Sequence, residues 1–185
     1  MYKIIILCGK AGSGKDTIVK ELCEDYPNKF TRVVSYTTRP PREGEKEGID
    51  YHFINSAQMA QKIIENEMIE VAEFNKWFYG TSVDCFQENK INLMVLNPIG
   101  IENMLDYPGL NARINVIYID CNNKIRLMRQ LTREENPDVK EIIRRYGTDE
   151  LDFVELPFTY TTLINEKPED LTLVKGRIKE FAEVL

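Results

Sequence analysis

The sequence predicts an α/β fold in which helices cover both faces of a parallel β-sheet. Short runs of β-branched and aliphatic residues alternate with amphipathic segments along nearly the whole chain. Several of these runs are apolar without alternation, which is typical of strands buried on both faces of a sheet. A glycine-rich segment joins the first apolar run to the first amphipathic segment. In folds of this class, ligands bind at the carboxyl ends of the strands.

The first half of the chain supplies eight predicted elements around one irregular region. We expect a strand over 3–8 and a helix over 16–23 that places Ile18, Val19 and Leu22 at helical spacing. Residues 37–49 fit neither period, because prolines and glycines recur there among charges. The remaining predictions are strands or extended segments over 32–36, 51–53, 68–74 and 77–79, and helices over 57–66 and 83–88.

The second half continues the alternation. Buried strands are predicted over 91–96 and 114–119, and a short strand over 161–164. Helices are expected over 123–134 and 169–184, with a further helix that Asn136 would cap and Pro137 would open. The sequence shows no internal repeat and no flexible linker. These features indicate one domain over residues 1–185.

Composition excludes several classes of protein. The chain of 185 residues is 43% hydrophobic and 29% charged, which is ordinary for a folded domain. A formal charge of −6 argues against non-specific binding to nucleic acid or to an anionic membrane. No apolar run approaches the roughly 20 residues that cross a bilayer, and the start lacks a signal-peptide pattern. The four cysteines and one histidine show no metal-ligand spacing. We therefore expect a cytoplasmic protein with free thiols.

A phosphate-binding loop follows the first strand. Residues 9–17 satisfy the pattern G-x-x-x-x-G-K between a predicted strand and a predicted helix. Consecutive backbone N–H groups of such a loop converge on phosphate oxygens, and Lys15 can reach the β and γ phosphates. The motif predicts a P-loop NTPase core. The expected ATP-binding residues here are Gly9, Ala11, Gly12, Ser13, Gly14, Lys15, Asp16 and Thr17.

Magnesium, bound with ATP, is the expected cofactor, but the loop departs from the usual pattern. The residue after the lysine is normally Ser or Thr, whose hydroxyl helps to hold Mg²⁺. Here that residue is Asp16, and Thr17 follows it. Either the Thr17 hydroxyl substitutes or Asp16 holds waters of the ion. A GTPase is not favoured, because Asn123-Lys124 lacks the aspartate of an N-K-x-D motif.

A second set of motifs resembles the guanylate kinase family. These motifs are SYTTRPPREGE at 35–45, GIDYHF at 48–53, EVAEF at 70–74 and WFYGT at 77–81. With the phosphate loop, the resemblance covers most of the first half of the chain. It implies a nucleoside-monophosphate-binding insertion over about 35–90 and a lid over about 126–149. The core would then consist of residues 1–34, 91–125 and 150–185.

The resemblance also assigns residues to the acceptor nucleotide. It gives the GMP phosphate to Arg39, Arg42, Tyr51 and Tyr79, and the base to Ser35, Glu70 and Thr81. The chemistry agrees, because paired arginines can clamp a phosphate. A carboxylate can accept from guanine N1–H and the 2-amino group, whereas adenine presents an acceptor at N1. Taken singly, Tyr51 could be a strand core residue, Glu70 a solvated charge, and the arginines part of a charged loop.

One strand end departs from the family. Guanylate kinases have two acids, one residue apart, where this chain has Val95 and Asn97. The Asn97 carbonyl could accept from the guanine 2-amino group, but it cannot balance the charge of Mg²⁺ as a carboxylate would. Two alternatives therefore stay open. The chain could be a kinase for another deoxynucleoside monophosphate, or a catalytically inactive binding module.

Arginines are expected to complete the site. Arg126, Arg129 and Arg133 lie at helical spacing, and Arg144 belongs to the next predicted helix. The resemblance implies that Arg133 and Arg144, with Arg129, reach over the ATP phosphates, and that Asn165 lies beside the adenine. The alternative is that these arginines pair with the acidic residues Glu134, Glu135 and Glu141.

The sequence thus predicts a kinase that moves the γ-phosphoryl of Mg²⁺–ATP onto GMP or dGMP. Phosphoryl transfer needs positioning and charge neutralisation more than a nucleophilic side chain. The expected catalytic residues are accordingly the four cations Lys15, Arg39, Arg133 and Arg144.

Overall fold

The computed structural model describes residues 1–41, 44–74, 76–133 and 135–185. The strands are β1 (Tyr2–Cys8), β2 (Phe30–Arg32), β3 (Tyr36–Thr37), β4 (His52–Phe53), β5 (Met68–Phe74), β6 (Trp77–Ser82), β7 (Ile91–Val95), β8 (Ala112–Asp120) and β9 (Thr161–Ile164). The helices are α1 (Lys15–Asp25), α2 (Ser56–Ile64), α3 (Pro98–Asp106), α4 (Asn123–Leu131), α5 (Val139–Asp152) and α6 (Pro168–Glu183).

A five-stranded parallel sheet forms the centre of the molecule, in the order β2-β7-β1-β8-β9. Its middle strand, β1, is fully buried from Ile4 to Cys8. Ile5 and Leu7 belong to a cluster with apolar residues of α1 and α6, whereas Ile4 and Ile6 belong to a second cluster with residues of α3. Helices therefore cover both faces, which confirms the predicted fold class and explains why β1 carries apolar residues without alternation.

A second, four-stranded sheet has the order β4-β3-β6-β5. β3 pairs parallel with β4, and β6 pairs antiparallel with both β3 and β5. All four strands come from the part of the chain between β2 and β7. α3 contacts β5, so this sheet is packed against a helix of the central sheet.

The expected single strand over 32–36 is wrong, because the chain changes sheets there. β2 ends at Arg32 in the central sheet, and β3 begins at Tyr36 in the second sheet. The Val33 N–H donates to Leu93 on β7, whereas Ser35 O accepts from His52 on β4. A continuous strand-like run does not show that its two ends pair in different sheets, so the sequence predicted a single strand.

Two helix predictions also need correction. The helix expected over 83–88 is a single 3₁₀ turn over Val83–Cys85, after which the Asn92 side chain accepts from the Gln87 N–H at 2.8 Å. The helix expected after Pro137 begins at Val139, because Asp138, and not Asn136, caps it by accepting from the Glu141 N–H at 3.1 Å.

The ends of two further helices bear on the candidate site. α4 ends at Leu131, so Arg133 does not continue its arginine face as predicted. α3 was not predicted, although Asn97 and Pro98 signal its start. The Asn97 Oδ1 accepts from the Gly100 N–H at 2.8 Å, and Pro98 occupies the first turn.

The described residues were also compared with the predictions for the cysteines and for membrane-spanning segments. Cys8, Cys23, Cys85 and Cys121 carry free thiols. Within those residues, no helix combines the length and the apolar character needed to cross a membrane.

Candidate active site

The phosphate loop connects the carboxyl end of β1 to the first turn of α1. Glycine is required at Gly12, where φ is 81° and an added Cβ would lie 2.5 Å from the Arg126 carbonyl oxygen. Gly9 is similarly restricted, since a Cβ would lie 2.4 Å from the Ile119 carbonyl oxygen. The loop therefore packs directly on the backbones of β8 and α4, and a side chain at either position would displace it.

Lys15 folds back over this loop. Its Nζ donates to the carbonyl oxygens of Gly9 at 2.6 Å and Lys10 at 3.2 Å. Burial lowers the pKa of Lys15, although nearby carboxylates oppose that shift. Among the described residues, no carboxylate forms an ion pair with this ammonium group, so its charge remains available to an arriving phosphate.

Helix α5 places two acidic side chains against the phosphate loop. The Ala11 N–H donates to Asp149 Oδ2 at 2.7 Å, and the same oxygen accepts from Arg126 Nη1 at 3.1 Å. Glu150 pairs with Lys10 at 2.8 Å. The Arg126 side chain is only 1% exposed, so it joins α4, α5 and the loop rather than lying on an open arginine face. Sequence reasoning missed both acids, and no local signal marks them.

A cavity of about 190 Å³ opens beside the loop on its other flank. It is lined by Gly14, Thr17, Arg129, Asn165, Lys167, Pro168 and Leu171. Asn165 is buried and donates from Nδ2 to Ser13 O at 2.8 Å. Arg129 donates from Nη1 to Asn165 O at 2.9 Å. The structure thus gathers four residues predicted for ATP, namely Gly14, Thr17, Arg129 and Asn165, around one cavity.

An aromatic and cationic cluster gathers three of the residues predicted for the acceptor phosphate. Arg39 is 8% exposed and its guanidinium lies 5.5 Å from the centre of the Tyr51 ring. The Tyr79 ring lies 5.8 Å from that of Tyr51. Arg39 Nη2 also donates to both carboxylate oxygens of Glu45, at 2.8 and 2.9 Å. Arg42 lies outside the described residues.

The residues predicted for the base form a buried hydrogen-bonded chain. Thr81 Oγ1 donates to Glu70 Oε1 at 2.8 Å and lies 2.9 Å from Ser35 Oγ. Since the Thr81 proton goes to Glu70, Ser35 is the donor in the second bond. Glu70 is 5% exposed, and burial raises its pKa to about 7 against the smaller opposing effect of the Thr81 bond.

Asn97 lies at the same end of the site. A Cβ added at Gly100 would lie 3.0 Å from Asn97 Oδ1 and 3.5 Å from Glu70 Oε2, so both side chains flank the first turn of α3. Val95, the other position that differs from the family acids, ends β7 and lines a separate cavity. The Asn97 oxygen is already occupied by its capping bond.

A cavity of about 130 Å³ separates the donor loop from the acceptor residues. It is lined by Asp16, Val19, Arg32, Val33, Ser35, Asp50, Tyr51, Met94 and Val95. Ser35 and Tyr51 are predicted acceptor residues, whereas Asp16 follows the loop lysine. Neither Arg32 nor Asp50 was given a role from the sequence, since Arg32 lies outside the quoted motifs and Asp50 lies within the motif at 48–53 without an assigned contact.

Arg144, one of the predicted lid arginines, is paired with a carboxylate of its own helix in this conformation. Arg144 donates from Nε to Glu141 at 2.7 Å and from Nη2 at 3.0 Å, and Arg145 bonds to the same carboxylate at 2.8 Å. The Arg144 bonds contribute most to lowering the pKa of Glu141 to about 2. Arg133 is exposed beyond the end of α4, and within the described residues neither it nor Arg144 is bonded to the phosphate loop.

The donor set suits magnesium rather than a metal with many protein ligands. Among the described residues, no group of three or more His, Cys, Asp or Glu side chains is arranged to hold a metal. Asp16 and Thr17 are exposed in the first turn of α1. In nucleotide sites Mg²⁺ takes one or two protein oxygens together with phosphates and waters, so these two side chains fit it.

Comparisons with known proteins find relatives over most of the chain. A family model described as guanylate kinase matches residues 1–179. The guanylate kinase of Thermobifida fusca is 31% identical over 99% of this chain and 88% of its own length. That of Helicobacter hepaticus is 34% identical over 75% of this chain and 70% of its own. The crystal structure of a guanylate kinase from Anaplasma phagocytophilum has a TM-score of 0.70 at 21% identity, covering 99% of this chain and 85% of that one.

Proposed function

The chain belongs to the guanylate kinase family, and on that premise we propose that it transfers the γ-phosphoryl group of ATP to GMP or dGMP. The products are ADP and GDP or dGDP. The observation that carries the acceptor assignment is the buried chain Ser35–Thr81–Glu70, which ends in a carboxylate. Tyr79 of the Arg39 cluster and Thr81 of this chain both belong to β6, so one strand contributes to the phosphate residues and to the base residues.

Glu70 selects guanine. As a carboxylate it accepts from both N1–H and the 2-amino group, while Ser35 and Thr81 supply hydroxyl groups beside it. Adenine would place an acceptor against this buried charge and leave it unpaired, which costs much more than the loss of one ordinary contact. The bonds within the chain hold the carboxylate in place before the base arrives.

Arg39, Tyr51 and Tyr79 bind the acceptor phosphate. Arg39 is paired with Glu45 in this structure, so a phosphate exchanges one anionic partner for another. Arg42 of the family motif joins this set by resemblance. The phenolic hydroxyl groups add donors that fix the orientation of the attacking phosphate oxygen.

The phosphate loop binds the donor. Its backbone N–H groups and Lys15 hold the phosphates of ATP, and the cavity beside Arg129 and Asn165 takes the adenine. Mg²⁺ would be held by Asp16 and Thr17 together with the phosphates. When bound, the ion supplies charge neutralisation at the β and γ oxygens.

The insertion over 35–90 and the lid over 126–149 close on the substrates. Closure brings Arg133 and Arg144 over the phosphates of ATP and excludes water, which prevents wasteful hydrolysis. The Arg144–Glu141 pair is substantially exposed, so exchanging it for a phosphate partner costs little. We place the protein in the cytoplasm, since its four cysteines carry free thiols.

An acceptor panel tests the proposal. ADP release from Mg²⁺–ATP is measured with GMP, dGMP, AMP, CMP and dTMP in turn. We expect GMP or dGMP to give the highest kcat/KM by about 10²-fold or more. Preference for a pyrimidine would retain the kinase and reject the guanine pocket. Absence of turnover with every acceptor would reject the kinase in favour of a binding module.

A further inference from the structure

Arg32 occupies a distinctive place between the two substrates. It is the last residue of β2, and its side chain lines the cavity of about 130 Å³ together with Ser35 and Tyr51. Asp16 of the donor loop lines the same cavity. Among the described residues that line this cavity, Arg32 is the sole cation. A cation at this point faces the space where a phosphate held by Tyr51 would approach the donor.

The guanidinium of Arg32 is held only weakly. Arg32 Nη2 lies 3.6 Å from Asp16 Oδ1, which is longer than a hydrogen bond, and the Asp16 side chain is 70% exposed. Within the described residues, Asp16 is its only ion-pair partner. Arg39, by contrast, is fixed by two short bonds to Glu45. Redirecting Arg32 to a new anion therefore costs less than redirecting Arg39.

Charged residues near Tyr51 also support a phosphate-binding role for Arg32. Burial raises the pKa of the Tyr51 phenol and the Asp16 charge raises it further, whereas the charges of Arg32 and Arg39 lower it. A phosphate bound by Arg39 and Tyr51 would bring negative charge close to the Asp16 carboxylate. Arg32 is positioned to offset that repulsion, since it lies beside both Asp16 and the cavity.

We propose that Arg32 is a further binding residue for the acceptor phosphate, acting with Arg39 from the central sheet. This role rests on the proposed function. Two phosphates must approach closely before transfer, and a second guanidinium on the acceptor side lowers their mutual repulsion. Because Arg32 belongs to β2 of the central sheet, it is anchored to the same framework as the donor loop, unlike Arg39.

Calorimetric titration of the full-length protein with GMP and with guanosine tests this role without ATP or metal. Arg32→Met keeps most of the side-chain length and removes the charge. We expect it to raise the Kd for GMP about 10- to 100-fold, as for the loss of a charged hydrogen bond, and to leave the Kd for guanosine within about twofold. Arg32→Lys should give an intermediate Kd for GMP. Arg177→Met, which removes an exposed arginine of α6, is the matched control and should change neither.

Two results would overturn the role of Arg32. One is an unchanged Kd for GMP in both Arg32 variants. The other is an equal weakening of GMP and guanosine, which indicates damage to the pocket. If Arg32→Met does not fold, the role is tested with Arg32→Lys, by the same comparison of the Kd for GMP with the Kd for guanosine. Failure of the parent protein to bind GMP at all would instead reject the proposed function, so the two failures are distinguishable.

Discussion

The donor side and the acceptor side of the site are built in opposite ways. The proposed site for the donor phosphates is one continuous segment, residues 9–17, which would contribute mostly backbone N–H groups. The acceptor side is assembled from side chains on several elements, including Glu70 of β5 and Thr81 of β6. Donor binding therefore depends on local backbone shape, whereas acceptor selectivity depends on tertiary structure that brings distant side chains together.

Both sides nevertheless hold a carboxylate where a phosphate is expected. Asp149 accepts from the Ala11 N–H of the phosphate loop, and Glu45 pairs with Arg39. The two differ in anchoring. The Asp149 side chain is 14% exposed and is tied to Arg126, which is 1% exposed, whereas Glu45 is 19% exposed and is tied to Arg39, which is 9% exposed. Substrate entry must displace or accommodate an internal anion on each side.

The largest expected effect is a loss of phosphoryl transfer that is the same for every acceptor. Lys15→Ala should lower kcat by about 10³-fold with every acceptor, because the cation at the donor phosphates is lost. Steady-state ADP release with GMP and dGMP measures this. Lys20→Ala, which removes an exposed lysine of the same helix, should retain full activity. Comparable activity in Lys15→Ala and Lys20→Ala would remove the loop lysine from the mechanism.

Glu70→Gln should weaken the use of GMP without affecting ATP. We expect kcat/KM for GMP to fall about 10²-fold, since a charged acceptor of two hydrogen bonds is lost, while the KM for ATP stays constant. Glu73→Gln, an exposed acid on the same strand, is the matched control. Equal losses for GMP and ATP would show that Glu70 supports the fold rather than the base.

The pH dependence should also differ between the two sides. Burial raises the pKa of Glu70 to about 7, so the carboxylate that guanine needs is lost as the pH falls through that value. The affinity of the parent protein for GMP should fall by up to about tenfold per pH unit below pH 7. In Glu70→Gln, the affinity for GMP should depend less on pH over the same range. A pH profile shared by the parent and Glu70→Gln would contradict the assignment.

The same carboxyl group should affect stability. The folded state retains a proton that the unfolded chain releases above its ordinary pKa of 4.5. The free energy of unfolding should therefore decrease as the pH rises from about 4.5 to about 7, and the variant Glu70→Gln should lack this contribution. Urea denaturation of both proteins at several pH values measures it. A contribution of the opposite sign would show that Glu70 is stabilised as a carboxylate.

Asp149→Asn tests the internal anion on the donor side. Removing the charge while keeping the shape should tighten ATP binding several-fold, because the carboxylate no longer repels the phosphates. Calorimetry with ATP and with GMP measures both sites. GMP affinity should not change. Weaker ATP binding in the variant would indicate instead that Asp149 holds the loop in its binding conformation.

The smallest effect concerns Asn97. Asn97→Ala should lower the free energy of unfolding by about 1 kcal/mol through loss of the α3 cap. Asn97→Asp preserves the cap and should leave stability nearly unchanged. Urea denaturation distinguishes them. If Asn97→Ala is as stable as the parent but loses GMP affinity, the side chain acts on the nucleotide rather than on the helix.

The contrast between the local donor loop and the acceptor side, which is assembled by tertiary structure, also explains which features could be predicted from the sequence. The phosphate loop and the buried strands are local patterns, so their positions follow from residues 3–8 and 9–17 alone. The resemblance adds the acceptor residues, of which Ser35, Glu70 and Thr81 form one hydrogen-bonded chain. The sheet change between Arg32 and Tyr36 could not be predicted, because strand pairing is a long-range property.

The contacts that sequence reasoning missed are tertiary. Asp149 reaches the loop across 138 positions of sequence, and no motif marks it. The role proposed for Arg32 depends on its place at the end of β2, just before the chain enters the second sheet at Tyr36, which its neighbours in the chain do not show. The start of α3 is different. Its Asn-Pro signal was present at 97–98, so that helix was predictable from capping rules.

The most direct test of the account compares three purine nucleotides on the unmodified protein. In calorimetric titration, GMP and IMP differ only in the 2-amino group assigned to Glu70, whereas AMP also has an acceptor at N1 and an amino group at position 6. We expect affinity to fall about 10- to 100-fold from GMP to IMP, which lacks the 2-amino group, and further to AMP, which also lacks N1–H. Equal affinities for GMP and AMP would contradict the claim that a buried carboxylate selects the acceptor base.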